Sequence, residues 1–397
     1  MIRLGVVGYG GRGHSIVRGC LRKVEPEALR EEIRVVGIVD PDETGARSRL
    51  EECDRKDVVF YKTLDQMVRK ANLDGLLVST QCNLHSPYAI KAAKYDIPLY
   101  LEKPVSMSMV QVVALEKAFA KSKCPVVVSF PLRVSPLATA ARDMIEQGAV
   151  GSPEHIMAVN YVPYGTTYWD SWYRDYKITG GLFLQKATHD LDYMSYLMGQ
   201  PIVRVAAMAN VGRVFGGKMK PGLTCSKCRK KYTCLESPYQ RVRTLSGGSQ
   251  RDHACTFGAD CGSPETGMNE DCNSILVEFA NGSHGVYSQV FFSRRDAAGR
   301  GAIISGYLGT VSFDWYKNEL KRVRHFEPLT DTAKPPTGMS HFGGDLQLAH
   351  DFIQLMRGRA AESRTPIRTG IASVHACLAA RQSARTGRFV KVRQVQI

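Results

Sequence analysis

No apolar run in the 397 residues approaches the roughly 20 needed to cross a bilayer as a helix, so no membrane partner is expected. There is no internal repeat and no low-complexity tract, which excludes solenoid and fibrous architectures. A signal-peptide pattern is missing too: Met1 leads straight into an apolar strand pattern (Ile2, Leu4, Val6, Val7) and then into glycines. A cytoplasmic protein is therefore expected. The net charge is +15, yet the densest basic stretches, Lys227–Lys231 and Lys321–Arg324, have no aromatic residues between their charges. Nucleic acid is thus not an expected partner, and a basic solvated surface or an acidic small molecule accounts for the charge. What is present is ordinary for a folded chain with two full cores, 44% hydrophobic and 23% charged.

Eleven cysteines in a reducing compartment argue against a disulfide framework. Cys20, Cys53, Cys82, Cys124 and Cys377 are dispersed, whereas the other six fall between Cys225 and Cys272. The spacing Cys225-x2-Cys228-x5-Cys234, with Cys255 twenty-one residues later, suits a structural zinc that would order an insertion with little core of its own. His253, Cys261 and Cys272 compete for the fourth ligand position, and an iron–sulfur cluster or free thiols are the alternatives.

From Met1 to about Pro131, short apolar strands alternate with helical segments: Arg3–Val7, Ile33–Val39, Gly75–Ser79, Leu99–Leu101 and Val126–Ser129, with amphipathic stretches such as Leu64–Ala71 between them. This is the pattern of a doubly wound parallel α/β sheet buried on both faces. Beyond it, longer strands (Glu154–Tyr161, Val203–Val211, Ser274–Phe279, Ser283–Phe292, Arg300–Ser305, Thr310–Asp314) predict an α+β domain on a mostly antiparallel sheet. The predicted domains are 1–131 and 132–397, with a helix near Gly181–Met198, a Cys-rich insertion at about 216–273 and two late helices at about Asp345–Arg357 and Gly370–Thr386.

Gly8-Tyr9-Gly10-Gly11-Arg12-Gly13 follows the first strand and opens a helix. There the first glycine permits a tight turn, the second lets backbone approach a pyrophosphate, and Gly13 allows helix and strand to close together. The next strand ends in Asp40, whose carboxylate suits two ribose hydroxyls and repels a 2′-phosphate, so NAD is the expected cofactor. Gln185, His189 and Asp192 stand at i, i+4 and i+7 of one predicted helix, with Lys186 bordering their face, and Gln185 and Asp192 are expected to bind the substrate there. Upstream, Tyr164, Tyr168, Trp169, Trp172, Tyr173 and Tyr176 form an aromatic run containing Arg174. Such a run suits either a packed loop between domains or the C–H faces of a sugar ring, with Arg174 holding a hydroxyl or carboxylate.

Leu101-Glu102-Lys103-Pro104 resembles the Glu-Lys-Pro motif of the glucose–fructose oxidoreductase / inositol dehydrogenase / MocA family, and the likeness extends over almost the whole chain. Ser79-Thr80 with His85 looks like that family's segment over the nicotinamide, and Gly180-Gly181 through His189 and Asp192 is similar to its Gly-Gly…His-x-x-Asp helix. Arg300-x5-Gly306-x2-Gly309 and Gly343-Gly344-Asp345 are also similar. The resemblance implies NAD-dependent oxidation of a secondary hydroxyl of a sugar, inositol or glycoside, with Lys103 and His189 taking the hydroxyl proton. It further implies that Gly8, Gly10, Gly11, Arg12, Gly13, Asp40, Ser79, Thr80, His85, Glu102 and Lys103 surround the cofactor, and that the chain forms a homo-oligomer. One departure matters: many relatives have Asp where this chain has Gln185, and an amide cannot take a proton. Lys186-Ala187-Thr188-His189 instead resembles a branch of mixed function. With Lys186 or His189 as base, a redox-neutral glycoside lyase or glycosidase is an alternative, and a non-catalytic nucleotide sensor is a third.

Overall fold

The computed structural model describes residues 1–24, 32–244, 251–258, 261, 268–328, 330–335 and 340–397. Strands β1 (Ile2–Val7), β2 (Ile33–Val39), β3 (Val59–Phe60), β4 (Gly75–Val78), β5 (Leu99–Leu101) and β6 (Val126–Val128) form one parallel sheet in the order β3-β2-β1-β4-β5-β6. The order reverses between β1 and β4, and an open α/β sheet binds its ligand beside such a reversal, at the carboxyl ends of the strands. β4, β5 and β6 are buried at every residue, because helices cover both faces.

The second sheet has nine strands. These are β7 (Pro153–Tyr161), β8 (Ile202–Val211), β9 (Glu270–Phe279), β10 (His284–Val290), β11 (Gly299–Gly306), β12 (Gly309–Asp314), β13 (Glu319–Arg324), β14 (Thr330–Ala333) and β15 (Val390–Lys391), in the order β14-β13-β12-β11-β7-β10-β9-β8-β15. Only the β7–β10 pairing is parallel among them. Residues alternate along the strands: Ile156, Ala158, Ile275 and Val277 face the core, while Met157, Met208 and Leu276 face outward. The two-sheet architecture thus follows the sequence pattern, with β3, β13, β14 and β15 as strands the pattern did not mark.

Helix α1 (Gly11–Gly19) starts at the glycine turn, and α2 (Cys82–Ala92) starts beyond β4. The helix predicted over Gly181–Met198 is two pieces, α3 (Leu182–Gln185) and α4 (Ala187–Met198), because Lys186 sits at φ −118° and breaks the run between them. Helix α5 (Gly344–Met356), expected with the second domain, packs on the first sheet: Leu348, Phe352 and Ile353 share a core with Leu4, Val6, Tyr100 and Val127. Helix α6 (Ile367–Thr386) runs against β8 and α4. In the Cys-rich insertion, order among the described residues rests on isolated bridges (Met219 with Gly258, Thr224 with Ala254) and one short helix, Pro238–Thr244.

Candidate active site

The carboxyl ends of β1, β2, β4 and β5 open into a cavity of about 760 Å³ whose far wall comes from α3, the start of α4 and the loop after β7. On the near wall, Gly8 adopts φ +82°, a conformation that disfavours any side chain. A Cβ on Gly13 would lie 2.5 Å from Ser79 Oγ and 2.7 Å from the Gly8 carbonyl. Ser79 Oγ donates to that same carbonyl at 2.7 Å and holds the turn against β4. Gly10 and Gly11 face open space, leaving the first N–H groups of α1 bare toward the cavity. Asp40 is fixed by accepting from the Tyr9 and Asp42 N–H groups at 2.7 and 2.9 Å, and it lines the same cavity. A bare turn, a bare helix N-terminus and an oriented carboxylate fit the pyrophosphate and adenosine ribose of a dinucleotide.

Four predicted cofactor neighbours tie this wall together. Arg12 donates to Glu102 Oε1 at 2.7 Å and to both oxygens of Asp345 at 3.0 and 3.2 Å, so internal carboxylates occupy its guanidinium. Glu102 also accepts from Ser129 Oγ at 2.9 Å. Burial works to raise the pKa of Glu102, but Arg12 and Lys103 outweigh it, hold it below its ordinary value and keep the carboxylate ionised. The His85 imidazole lies between the carbonyls of Pro104 and Thr80, at 2.8 and 2.9 Å, and so links the Glu-Lys-Pro segment to the end of β4. Thr80 itself lines the cavity.

Lys103 reaches across to the far wall. Its Nζ donates to the backbone oxygen and to Oε1 of Gln185, at 2.8 and 2.9 Å. Burial first, and then the charge of Lys186, depress it from its ordinary value to about 7. A lysine in that range can both give and take a proton near neutral pH. His189 lines the cavity beside it, and burial together with Lys103, Arg300 and His341 keeps its imidazole neutral. The amide of Gln185 thus orients the ammonium where a carboxylate would have paired with it. Lys186 Nζ donates to the Tyr164 hydroxyl at 3.0 Å and lies over the rings of Tyr164 and Tyr168 at 5.1 and 5.5 Å. The break at Lys186 is what turns both 185 and 186 into the cavity.

Two predicted substrate residues belong elsewhere. Asp192 is bound by Arg133 at 2.8 and 2.9 Å and lines a separate cavity of about 580 Å³, although it shares α4 with His189. Arg174 turns away to Cys261 Sγ, at 2.8 Å. The aromatic run divides between core and cavity. Trp169 is packed core with Phe215 and Phe291, whereas Tyr164, Tyr168, Trp172 and Tyr173 line the cavity, with the last two rings stacked at 4.1 Å. His341 was not foreseen. It reaches the cavity from beyond β14, its Nδ1 donating to Asp345 Oδ2 (2.8 Å), in a left-handed conformation of φ 44°. Only the neighbouring Gly343-Gly344-Asp345 hinted at this segment.

The zinc expectation finds no support. Among the described residues no three His, Cys, Asp or Glu side chains converge as metal ligands. Cys225, Cys228, Cys234 and Cys255 are free thiols, Cys225 Sγ lies 3.8 Å from His253 Nδ1, and that nitrogen is 2.8 Å from the Ala254 carbonyl instead. A second rival ligand, Cys261, faces the Arg174 cation.

A glycine turn and ribose-facing carboxylate at a sheet reversal, opposite a second sheet domain that completes the cleft, define a dinucleotide-dependent oxidoreductase. Comparison with known sequences gives the same answer. Residues 2–130 match the oxidoreductase family's NAD-binding Rossmann fold, and residues 138–312 match the GFO/IDH/MocA C-terminal domain. The chain belongs to the GFO/IDH/MocA family.

Among relatives, myo-inositol 2-dehydrogenase of Thermotoga maritima is 26% identical over 211 residues, 53% of this chain and 59% of that protein. Across three such relatives the chain spans 46% to 59% of their length, about half. The 2,7-anhydro-N-acetylneuraminate hydratase of Escherichia coli is 23% identical over 383 residues, 91% of this chain and 92% of that one. A solved levoglucosan dehydrogenase, in complex with NADH and levoglucosan, superposes with a TM-score of 0.74 at 17% identity, covering 99% of this chain and 100% of that one. An oxidoreductase domain protein from Kribbella flavida gives 0.75 at 15%, covering 99% of both chains. These structural likenesses establish the fold.

Proposed function

We propose that the chain is a cytoplasmic NAD-dependent dehydrogenase acting on a secondary hydroxyl of a sugar, inositol or glycoside. The observation that carries this is Lys103: a partly buried ammonium, depressed to about 7, in the cavity that also holds the glycine turn and Asp40. NAD, when bound, accepts the hydride of a carbinol carbon. Gly8, Gly10, Gly11 and Gly13 would hold its pyrophosphate, Asp40 its adenosine ribose, and Thr80 and Glu102 would line its nicotinamide end. Lys103, oriented by Gln185, takes the hydroxyl proton, with neutral His189 as a second acceptor in reach of the same cavity. Trp172 and Tyr173 offer aromatic surface to the C–H face of a ring.

Incubating the protein with NAD⁺ and a panel of sugars, inositols and glycosides tests this, reading NADH absorbance and product mass together. NADH with a product two hydrogens lighter is expected. A second reading, redox-neutral elimination, is favoured by the amide at Gln185, by Lys186 in the cleft and by the near-full-length similarity to a hydratase. Cleaved glycoside without net NADH would select it and overturn the first.

A further inference from the structure

Lys186 is only 7% exposed and its polar neighbours are phenols, Tyr164 and Tyr168. An ammonium carries three N–H donors, so at least one is left for a ligand. The carboxylate nearest in sequence, Asp190, is saturated: it accepts from Arg300 at 2.7 and 3.0 Å, from the Tyr287 hydroxyl at 2.9 Å and from Asn160 Nδ2 at 3.3 Å. Lys103, the second ammonium, hydrogen-bonds only neutral oxygens of Gln185, while Glu102 is engaged by Arg12 and Ser129. Among the described residues neither lysine has a carboxylate in ion-pair contact. Burying a cation without an anion is costly, and a site that does so is built to receive one.

We propose that the substrate carries a carboxylate, as a uronic or other sugar acid does, and that Lys186 is the residue that binds it. The inference rests on the reading of this cleft as a sugar or polyol site. The two ammonium groups then divide the work. Burial lowers Lys103 until it exchanges protons near neutrality, whereas Lys186, despite burial, is held charged by the two phenols. Tyr164, whose phenol Lys186 in turn makes more acidic, is the hydroxyl that caps the ammonium while the site is empty. A carboxylate arriving at Lys186 displaces that role and receives a charge-assisted hydrogen bond. The overall charge of +15 agrees with an anionic ligand without requiring one.

The test is calorimetric binding to NAD⁺-loaded protein of matched acid and neutral probes: D-glucuronate against D-glucose, D-galacturonate against D-galactose, and D-gluconate against D-sorbitol. In at least one pair the acid is expected to bind about 10- to 100-fold more tightly. K186M should erase that preference and K186R should restore most of it, with NAD⁺ affinity unchanged in both and serving as the check on folding. A panel in which no acid is preferred, or a preference that K186M keeps, overturns the proposal. A panel that binds acids without making NADH sinks the dehydrogenase reading instead, and leaves the affinity comparison standing.

Discussion

Lys103 makes a pH prediction whose sign can be worked out. Its ordinary value is lowered to about 7 in the folded protein, so the neutral amine, the form that accepts a proton, is populated above that pH and lost below it. For hydroxyl oxidation, kcat/KM is therefore expected to rise with pH through about 7, and in the reverse direction to fall there. K103R, which cannot deprotonate in this range, should reduce oxidation by roughly 10²- to 10⁴-fold and leave NAD⁺ binding in place. A pH–rate profile unchanged by K103R would remove Lys103 from the chemistry. Asp40 supports a separate residue-scale expectation. D40A takes away a charged acceptor, so NAD⁺ should bind roughly 10-fold or more weakly while NADP⁺ gains relative to it, measured by nucleotide titration.

At the scale of elements, the glycine turn and the α3–α4 break do the positioning. G13A would drive a Cβ to 2.5 Å from Ser79 Oγ and 2.7 Å from the Gly8 carbonyl, pushing α1 off β4. A loss of about 1–3 kcal/mol in chemical unfolding is expected, together with weakened NAD⁺ binding. Arg300 on β11 and Asp190 on α4, 4% and 0% exposed, bind the second sheet to the helix that carries His189. R300M leaves Asp190 buried without its cation and should cost about 3–5 kcal/mol, read as a lowered denaturation midpoint. Strand positions, the glycine turn and the Glu-Lys-Pro segment were legible because each is local: apolar runs, glycine spacing and contiguous residues carry them. The break at Lys186 was not legible, since no glycine or proline marks it and the apolar pattern runs on through Leu182, Phe183, Leu184 and Leu191. The partner of Asp192 was not legible either: it shares unbroken α4 with His189, and Arg133, distant in sequence, claims its carboxylate.

The outward face of the second sheet bears on the whole molecule. Met208 is 80% exposed and Leu276 51%, on paired strands of a sheet whose opposite face is core. An apolar sheet face of this kind is where a second copy would cover the chain, and a homo-oligomer is the expected state in solution. Sedimentation should give a species heavier than one chain, with M208D/L276D moving it toward the monomer. A monomeric wild-type protein would sink this expectation.

Taken by itself, the sequence determined two sheets, their order along the chain, and the glycine turn with its carboxylate, because nearest-neighbour chemistry and strand periodicity are enough for each. Only tertiary structure decided which side chains share the cleft. Lys103 and Gln185 stand far apart in sequence, and their contact exists because the two domains close on each other. The same closure brought His341 and Tyr164 in, sent Arg174 to Cys261, and left the clustered cysteines without a converging ligand set among the described residues. Spacing in a chain records which residues are near in sequence, whereas a site is made by which side chains the packed core turns toward one space.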